Sequence, residues 1–217
     1  MVFNLEKEAL VASGLKEKDQ IRDYLGKLDS ISEQLKLKGI RDSSPIVRAE
    51  NLFEILWKAK PNRYRQRGFY RLNEVLDAQL SKEDRPVGNC LGLTLLYHCL
   101  LKRIGIEAEV LHLENAFGIG PHVLTVLQID DQTIDIENIL PGGFDYNGHK
   151  EDPSRLRWGE KELVADVYQS RGSELFKNGE LEDALKSYDM ALNLNPNYEK
   201  AALNREILLN QVNSPKV

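Results

Sequence analysis

The strongest hydrophobic pattern in the chain lies near its middle. Apolar residues occupy nearly every position from Leu91 to Ile104, so almost no polar face remains. This pattern predicts a helix that is covered by protein on most sides. Asn89 is a good N-cap residue, and Gly105 is typical of the position just after a helix C-terminus. The pattern therefore places Cys90 in the first helical position.

Three segments after this helix have the character of strands. Residues 107–113 and 122–129 are rich in Val, Leu and Ile, and residues 132–138 alternate between apolar and polar positions. Asp130 and Asp131 separate the last two segments and predict the turn of a hairpin.

The hairpin brings a histidine and two acids to one face of the sheet. If the turn is centred near residue 130, antiparallel pairing sets Glu137 opposite, or nearly opposite, His122. Asp135 then lies further along the same face, because side chains alternate along a strand. His122 therefore has a carboxylate neighbour without any special assumption.

Helical patterns flank this region on both sides. Residues 17–37 repeat apolar side chains every three or four positions, which predicts an amphipathic helix. Ser44 and Pro45 mark a helix start before residues 46–59, and residues 72–80 form a further helix.

These patterns divide the chain into four parts. We expect an N-terminal helical segment over residues 1–43, a core over residues 44–153, a helical module over residues 154–212 and a frayed tail over residues 213–217. The N-terminal helices are expected to pack on the core.

Residues 165–196 carry a spaced pattern of small and bulky side chains that is typical of a tetratricopeptide repeat (TPR). Tyr168, in place of Trp, and Arg171, in place of Leu, are the noticeable departures. Pro196 ends the second helix of the repeat, and residues 198–211 predict a third, capping helix. Because a single repeat cannot bury its own faces, it must pack on the core or on another copy of itself. A repeat of this kind is suited to binding a protein partner.

The composition is that of a globular protein with a mildly acidic surface. The 217 residues carry a net charge of −5, which does not favour nucleic-acid binding. Arginines mixed with aromatic residues over residues 63–71 can bind nucleic acid, but we interpret them as a solvated loop. No apolar run is long enough to span a bilayer, and the first ten residues lack a signal-peptide pattern. We expect a cytoplasmic protein without a membrane partner.

Cys90, His122 and an acid form the most informative group of candidate residues. The partial positive charge of a helix N-terminus stabilises a thiolate, so a cysteine there can act as a nucleophile at neutral pH. A histidine that is held by a carboxylate can direct its other ring nitrogen toward that thiolate. The alternative is structural, since free cysteines are usually buried and a histidine at a strand start can have backbone partners.

The other cysteine and two further histidines favour structural roles. Cys99 lies in mid-helix among leucines, His98 is two turns beyond Cys90, and His112 lies on a strand. Two cysteines do not make a disulfide framework. No cluster of His, Cys and Asp has zinc-ligand spacing, so we expect neither a metal ion nor another cofactor.

The order of the candidate residues resembles that of a known group of enzymes. A cysteine at the start of a buried helix, then a histidine on a strand and an acid on the next strand, is the arrangement of transglutaminase-like, papain-related cysteine enzymes. The segment RLNEVLDAQLSKEDRPVGNCLGLTLLYHCLLKRIGIEAEVLHL, residues 71–113, is similar to the SirB-family transglutaminase-like domain. The resemblance extends over about residues 46–146.

The resemblance implies an α+β fold in which the cysteine helix packs on a small antiparallel sheet. It also implies thiol-dependent acyl transfer or amide hydrolysis on a peptide or protein substrate. Cys90 matches the nucleophile and His122 the base. Glu137 is the better match for the acid, by its spacing to the PGGF that follows, and Asp135 is the other candidate. The backbone amide of Cys90, assisted by Asn89, would stabilise the oxyanion.

A second interpretation stays open. Aromatic residues that commonly follow the cysteine and the histidine in catalytic transglutaminases are absent, because Leu91 and Val123 occupy those positions. The core would then be a catalytically inactive transglutaminase-like domain that binds a peptide, and the repeat would hold a protein partner. The intact cysteine, histidine and acid favour the enzyme.

Overall fold

The computed structural model of the protein describes residues 3–36 and 44–213. This part of the chain is a mixed α+β structure with eight helices and one four-stranded antiparallel sheet. The helices are α1 (Leu5–Ala12), α2 (Lys18–Lys36), α3 (Pro45–Ala59), α4 (Leu72–Leu80), α5 (Cys90–Arg103), α6 (Glu160–Lys177), α7 (Leu181–Leu194) and α8 (Glu199–Asn213). The strands are β1 (Glu109–Leu113), β2 (His122–Ile129), β3 (Gln132–Ile136) and β4 (Leu156–Trp158). None of these helices is long and apolar enough to cross a membrane.

The sheet has the strand order β3-β2-β1-β4. The β2–β3 hairpin turns at the predicted place, with Asp130 in the left-handed conformation that tight hairpin turns use. Thr125 pairs with Ile136 at the end of the ladder. Glu137 follows one position beyond this pair, and alternation along both strands puts it on the same face as His122.

Strand β4 departs from the sequence prediction, which placed everything after Pro153 in a helical module. Leu156–Trp158 pairs with β1 on the opposite edge of the sheet from β3. A strand of three residues is too short to display an alternating pattern, and the side chain of Leu156 is exposed. Its strand character comes from the pairing with β1, which the local sequence does not reveal.

Helix α5 lies at the centre of the core. Every residue from Leu91 to Leu101 is buried, as the hydrophobic pattern predicts. The side chain of Asn89 caps the helix by accepting a hydrogen bond from the Gly92 amide at 2.9 Å. The Thr94 hydroxyl donates to a carbonyl of β2 at 3.2 Å. These bonds fix the first turns of α5 against the strand that begins with a histidine.

Helices α1 and α2 pack at the end of α5 that is far from Cys90. Arg103, in the last turn of α5, donates to Glu6 of α1 at 2.6 and 2.7 Å and also binds Asp29 of α2. A 14-residue helix is about 21 Å long, so these contacts lie well away from Cys90. The predicted helical character of residues 37–43 lies outside the described residues.

Residues 60–71 correct one sequence interpretation, that of a solvated arginine loop. Arg63 is only 3% exposed and lies over the ring of Trp57, although Arg65 and Arg67 are exposed as expected. Burial lowers the pKa of Arg63 to about 9, against the opposing effect of a nearby tyrosine. The Arg63 carbonyl accepts the Val87 amide at 2.7 Å. The segment therefore forms a wall beside the turn that leads into α5.

Helices α6 and α7 form the repeat predicted from the sequence, and α8 is the predicted third helix. A side chain at Gly172 would place its Cβ only 2.6 Å from the Tyr188 ring, which explains the small residue at this crossing. Helix α6 also packs on α1, β1 and β4. Of the two arrangements that the sequence left open, the repeat therefore packs on the core of its own chain. The predicted frayed tail beyond Asn213 lies outside the described residues.

Candidate active site

Cys90 is the first residue of α5, and its side chain is half-buried. The surrounding backbone is tightly packed, because a Cβ at Gly92 would collide with the carbonyl oxygen of Phe69. The first turn bonds through the amides of Gly92 and Leu93 to Asn89. The Cys90 amide precedes these donors and is one of the amides that a helix N-terminus leaves outside its own ladder. The sulfur and this amide therefore share the positive end of the helix.

His122 lies next to Cys90 and is held from behind by Glu137. The side chain of Cys90 lies close enough to His122 to raise the pKa of the imidazole. His122 Nε2 lies 2.8 Å from Glu137 Oε2. His122 is 3% exposed and Glu137 is fully buried. The three side chains thus form a connected chain from a half-buried sulfur to a buried carboxylate.

The charges of His122 and Glu137 follow from burial and hydrogen bonding. Burial works against a charged His122, but its hydrogen bond with Glu137 and its interaction with Cys90 outweigh that effect and raise its pKa to about 10. Burial also works against a charged Glu137, but hydrogen bonds from His122 and His149 lower its pKa. A carboxylate only accepts hydrogen bonds, so Nε2 of His122 carries a proton and Nδ1 remains for the sulfur.

His149 is a member of the cluster that the sequence reasoning missed. Its Nε2 lies 3.3 Å from Glu137 Oε2, the same oxygen that binds His122. The Ile139 amide donates to the other Glu137 oxygen at 3.3 Å. His149 lies in the irregular connection between β3 and β4, where no periodic pattern indicates which side chains turn inward. The carboxylate is therefore held by three donors, two of them histidines.

Asp135, the other candidate acid, belongs to a different contact. Its side chain is fully buried and accepts two hydrogen bonds from Arg155, at 2.7 and 3.2 Å. Asp135 shares a face of the sheet with His122, as predicted. It lies within the β2–β3 ladder, where it pairs with Val126. Glu137 lies beyond the ladder, where its longer side chain reaches the histidine. Of the two acids, the structure brings Glu137 to His122.

Three aromatic side chains surround the cluster from elsewhere in the chain. The ring of Phe117 makes edge contacts with His122 and His149, at centroid distances of 5.6 and 4.7 Å. Tyr146 packs edge-on against His149 at 5.1 Å. Burial raises the pKa of Tyr64, and the electrostatic effect of nearby Cys90 and Glu137 adds to this. Aromatic residues are thus present at the site although none directly follows the cysteine or the histidine in the sequence.

The remaining cysteine and histidines lie in structural environments, as expected. Burial raises the pKa of Cys99 well above its ordinary value and lowers that of His98 to about 3. His112 stacks on Trp158 with a centroid distance of 4.1 Å. Within the described residues, none of the three forms a hydrogen bond with Cys90, His122 or Glu137.

One group of side chains within the described residues meets the distance requirement for a metal ion. His122, Glu137 and His149 each offer a ligand atom within 4.8 Å of the others. The two hydrogen bonds to Glu137 Oε2 account for the same closeness without an ion. His122 in addition interacts with Cys90, which a purely metal-binding role does not explain.

Comparison with known proteins identifies one part of the chain. Residues 165–198 match the tetratricopeptide repeat family, in agreement with the sequence pattern. Such repeats commonly mediate contacts between proteins, so the module is suited to a protein partner. Neither the curated proteins nor the solved structures contain a match to this chain.

Proposed function

We propose that this protein is a cysteine enzyme with a transglutaminase-like core of the SirB type, and that it acts on a peptide or protein substrate. The observation that carries the proposal is the connected chain of Cys90, His122 and Glu137 at the N-terminus of a buried helix. The proposed core extends from residue 44 to the end of β4 at residue 158, because this strand belongs to the core sheet; the helical module follows it. A reducing compartment such as the cytoplasm would suit a working thiol.

The first step is attack by the Cys90 thiolate on an amide carbonyl. A carbon–sulfur bond forms while the carbonyl electron pair moves to oxygen. The imidazolium of His122 then gives its proton to the leaving nitrogen as the carbon–nitrogen bond breaks. An amine leaves, and the acyl group stays on Cys90 as a thioester. Glu137 holds the ring of His122 and stabilises its positive charge throughout.

The second step releases the acyl group to an acceptor. His122, now neutral, takes a proton from water or from an amine as that molecule attacks the thioester. The carbon–sulfur bond breaks and restores the thiolate. Water as the acceptor gives hydrolysis, and an amine gives a new amide, which is transamidation.

The oxyanion would be stabilised at the positive end of α5. The Cys90 amide lies beside the sulfur and outside the ladder of the helix. Asn89 uses its Oδ1 atom to accept the Gly92 amide, so its Nδ2 group remains the donor that could assist. Asn89 thus both caps the helix and contributes to the proposed oxyanion site.

A catalytically inactive core that binds a peptide is the second candidate function. The repeat over residues 165–198 favours it, because such modules serve protein recognition in proteins without any enzymatic activity. In this case the cluster at His122 would be a relic, and Cys90 would form no covalent intermediate.

The experiment that tests the enzyme is trapping of an acyl intermediate with p-nitrophenyl acetate. We expect a burst of p-nitrophenol equal to the enzyme concentration, and an acetyl group on Cys90 by mass spectrometry. Release into water or into added methylamine would distinguish hydrolysis from transamidation.

Two variants serve as controls for the burst. Cys90→Ala should abolish it, and Cys99→Ala should leave it intact because that thiol is buried. A folded protein without a burst, or with acetyl groups on lysines only, would refute the enzyme and favour the peptide-binding core.

A further inference from the structure

The loop before β2 carries two exposed apolar side chains beside the proposed catalytic residues. Phe117 is 45% exposed and Ile119 is 54% exposed. Both belong to the segment of residues 115–121, NAFGIGP, which contains no charged residue and ends one position before His122. Exposed apolar residues that are grouped indicate a binding surface more often than isolated ones do.

Hydrogen bonds fix the backbone of this loop. The Ala116 amide donates to the Gly120 carbonyl at 3.0 Å, and the Ile119 amide donates to the Ala116 carbonyl at 3.1 Å. The Gly120 amide binds the side chain of Asn115 at 3.0 Å. Ala116 is buried and anchors the loop. The tip is therefore a small closed structure rather than a loose connection.

Phe117 adopts an unfavourable backbone conformation at this tip. Its φ is +53°, a left-handed value that bulky side chains rarely take. This conformation accompanies the edge contacts of its ring with His122 and His149. Residues held in such conformations occur preferentially at functional sites.

Shielding of the histidines from water would explain why one side of the Phe117 ring contacts His122 and His149. It does not explain the exposed part of that ring, and it does not explain Ile119, more than half of which is exposed. An apolar side chain of a substrate would cover both residues and bury their exposed area.

We infer that Phe117 and Ile119 form a subsite for an apolar side chain next to the carbonyl that Cys90 attacks. The inference rests on the proposed function and names its substrate class, acyl groups with a large apolar side chain. The uncharged loop favours such a side chain over a charged one, because a charge placed there would lose water without gaining a partner.

Irreversible probes of the thiol test this subsite without knowledge of the natural substrate. The chloromethyl ketones of N-acetylphenylalanine and N-acetylglycine alkylate a thiolate, which forms a carbon–sulfur bond as chloride leaves. The ratio of their second-order rate constants for Cys90, measured by mass spectrometry, reports the side-chain preference. We expect the phenylalanine probe to react at least about tenfold faster, since one apolar group in a pocket changes such ratios by about 10- to 200-fold.

Substitutions in the loop should remove the preference. We expect Ile119→Ser and Phe117→Ser each to lower the ratio by about tenfold, toward one. Ile119→Asp should in addition favour the chloromethyl ketone of N-acetyllysine over that of N-acetylphenylalanine. Leu203→Ser is the matched control, since Leu203 is 58% exposed on α8 and should leave the ratio unchanged.

Iodoacetamide separates failure of the subsite from failure of the proposed function. If Cys90 reacts rapidly with iodoacetamide but the ratio is near one, or is unchanged in Ile119→Ser, the subsite is refuted and the loop only shields the histidines. If Cys90 reacts with iodoacetamide no faster than an ordinary thiol, both the enzyme and its subsite are refuted.

Discussion

Replacing Glu137 by Gln tests which group sets the charge of the buried histidine. The variant keeps the shape of the side chain and can still accept the proton of His122 Nε2, but it removes the negative charge. A rise in the His122 pKa from 6.5 to about 10 corresponds to roughly 5 kcal/mol in favour of the charged ring. Cys90 and Glu137 supply this preference together, against the opposing effect of burial.

The expected size of the change follows from the hydrogen bond that is weakened. Hydrogen bonds to charged groups contribute about 1.5–3 kcal/mol, so we expect Glu137→Gln to lower the pKa of His122 by about one to two units. The assay is NMR titration of the imidazole signals between pH 5 and 11, with His122→Ala to assign the resonance.

Asp135→Asn is the matched control for this titration. Asp135 is equally buried on the same face of the sheet, but its partner is Arg155. The control should lower stability, because it leaves a partly buried guanidinium without its carboxylate, and should leave the His122 titration in place. An unchanged midpoint in Glu137→Gln, or an equal shift in Asp135→Asn, would refute the reasoning.

His122 and Glu137 also determine the pH range in which their charges stabilise the fold. The raised pKa of His122 gives a stabilisation that is fully present below pH 6.5 and is lost as pH rises through about 10. The lowered pKa of Glu137 gives a second stabilisation. It is present at pH values above the ordinary pKa of a glutamate and is lost as pH falls through the lowered pKa. Urea unfolding should therefore show a smaller loss of stability between pH 6.5 and 10 in Glu137→Gln than in the wild type.

Three further substitutions test separate parts of the structure. His149→Ala removes a donor from the buried carboxylate. Cys90 should then react with iodoacetamide at pH 6 about tenfold more slowly, which corresponds to an activation free energy higher by about 1.4 kcal/mol. An unchanged rate would exclude a positioning role for His149. Gly172→Ala should lower the free energy of unfolding by about 1–3 kcal/mol through overpacking against the opposing tyrosine ring. Its control Gly26→Ala, which has open space around it, should stabilise by about 0.5–1 kcal/mol, and equal effects would contradict the packing argument. Arg63→Met should leave thermal stability unchanged or raised by about 1 kcal/mol, since this buried guanidinium has no ion pair within the described residues; a loss above about 2 kcal/mol would show that the charge is stabilised.

The parts of the site that the sequence predicted are those governed by local rules. The N-cap at Asn89 and the apolar run after it locate Cys90 at the start of α5, because capping and periodicity act within a few residues. The turn at residues 130–131 sets the hairpin register, and the register alone brings Glu137 to the face of His122. The repeat was predictable for the same reason, from spaced residues such as Gly172.

The parts that the sequence did not predict depend on contacts between distant segments. His149 lies in an irregular connection, and only the folded chain shows that it shares an oxygen of Glu137 with His122. Strand β4 exists because β1 offers it an edge. The sequence does not distinguish Arg63 from the arginines that follow it. Arg63 is the buried one because it packs over the ring of Trp57.

The measurement that tests the central proposal most directly is the pH dependence of Cys90 alkylation by iodoacetamide. Cys99 serves as the internal control, and His122→Ala is measured in parallel. An ordinary thiol is less than about 1% ionised at pH 6, and its reaction rate rises about tenfold per pH unit up to about pH 8. If Cys90 and His122 form an ion pair, Cys90 reacts at pH 6 almost as fast as at pH 8, and the variant loses this advantage. A rate that rises like that of an ordinary thiol, with no effect of His122→Ala, would contradict the proposed enzyme.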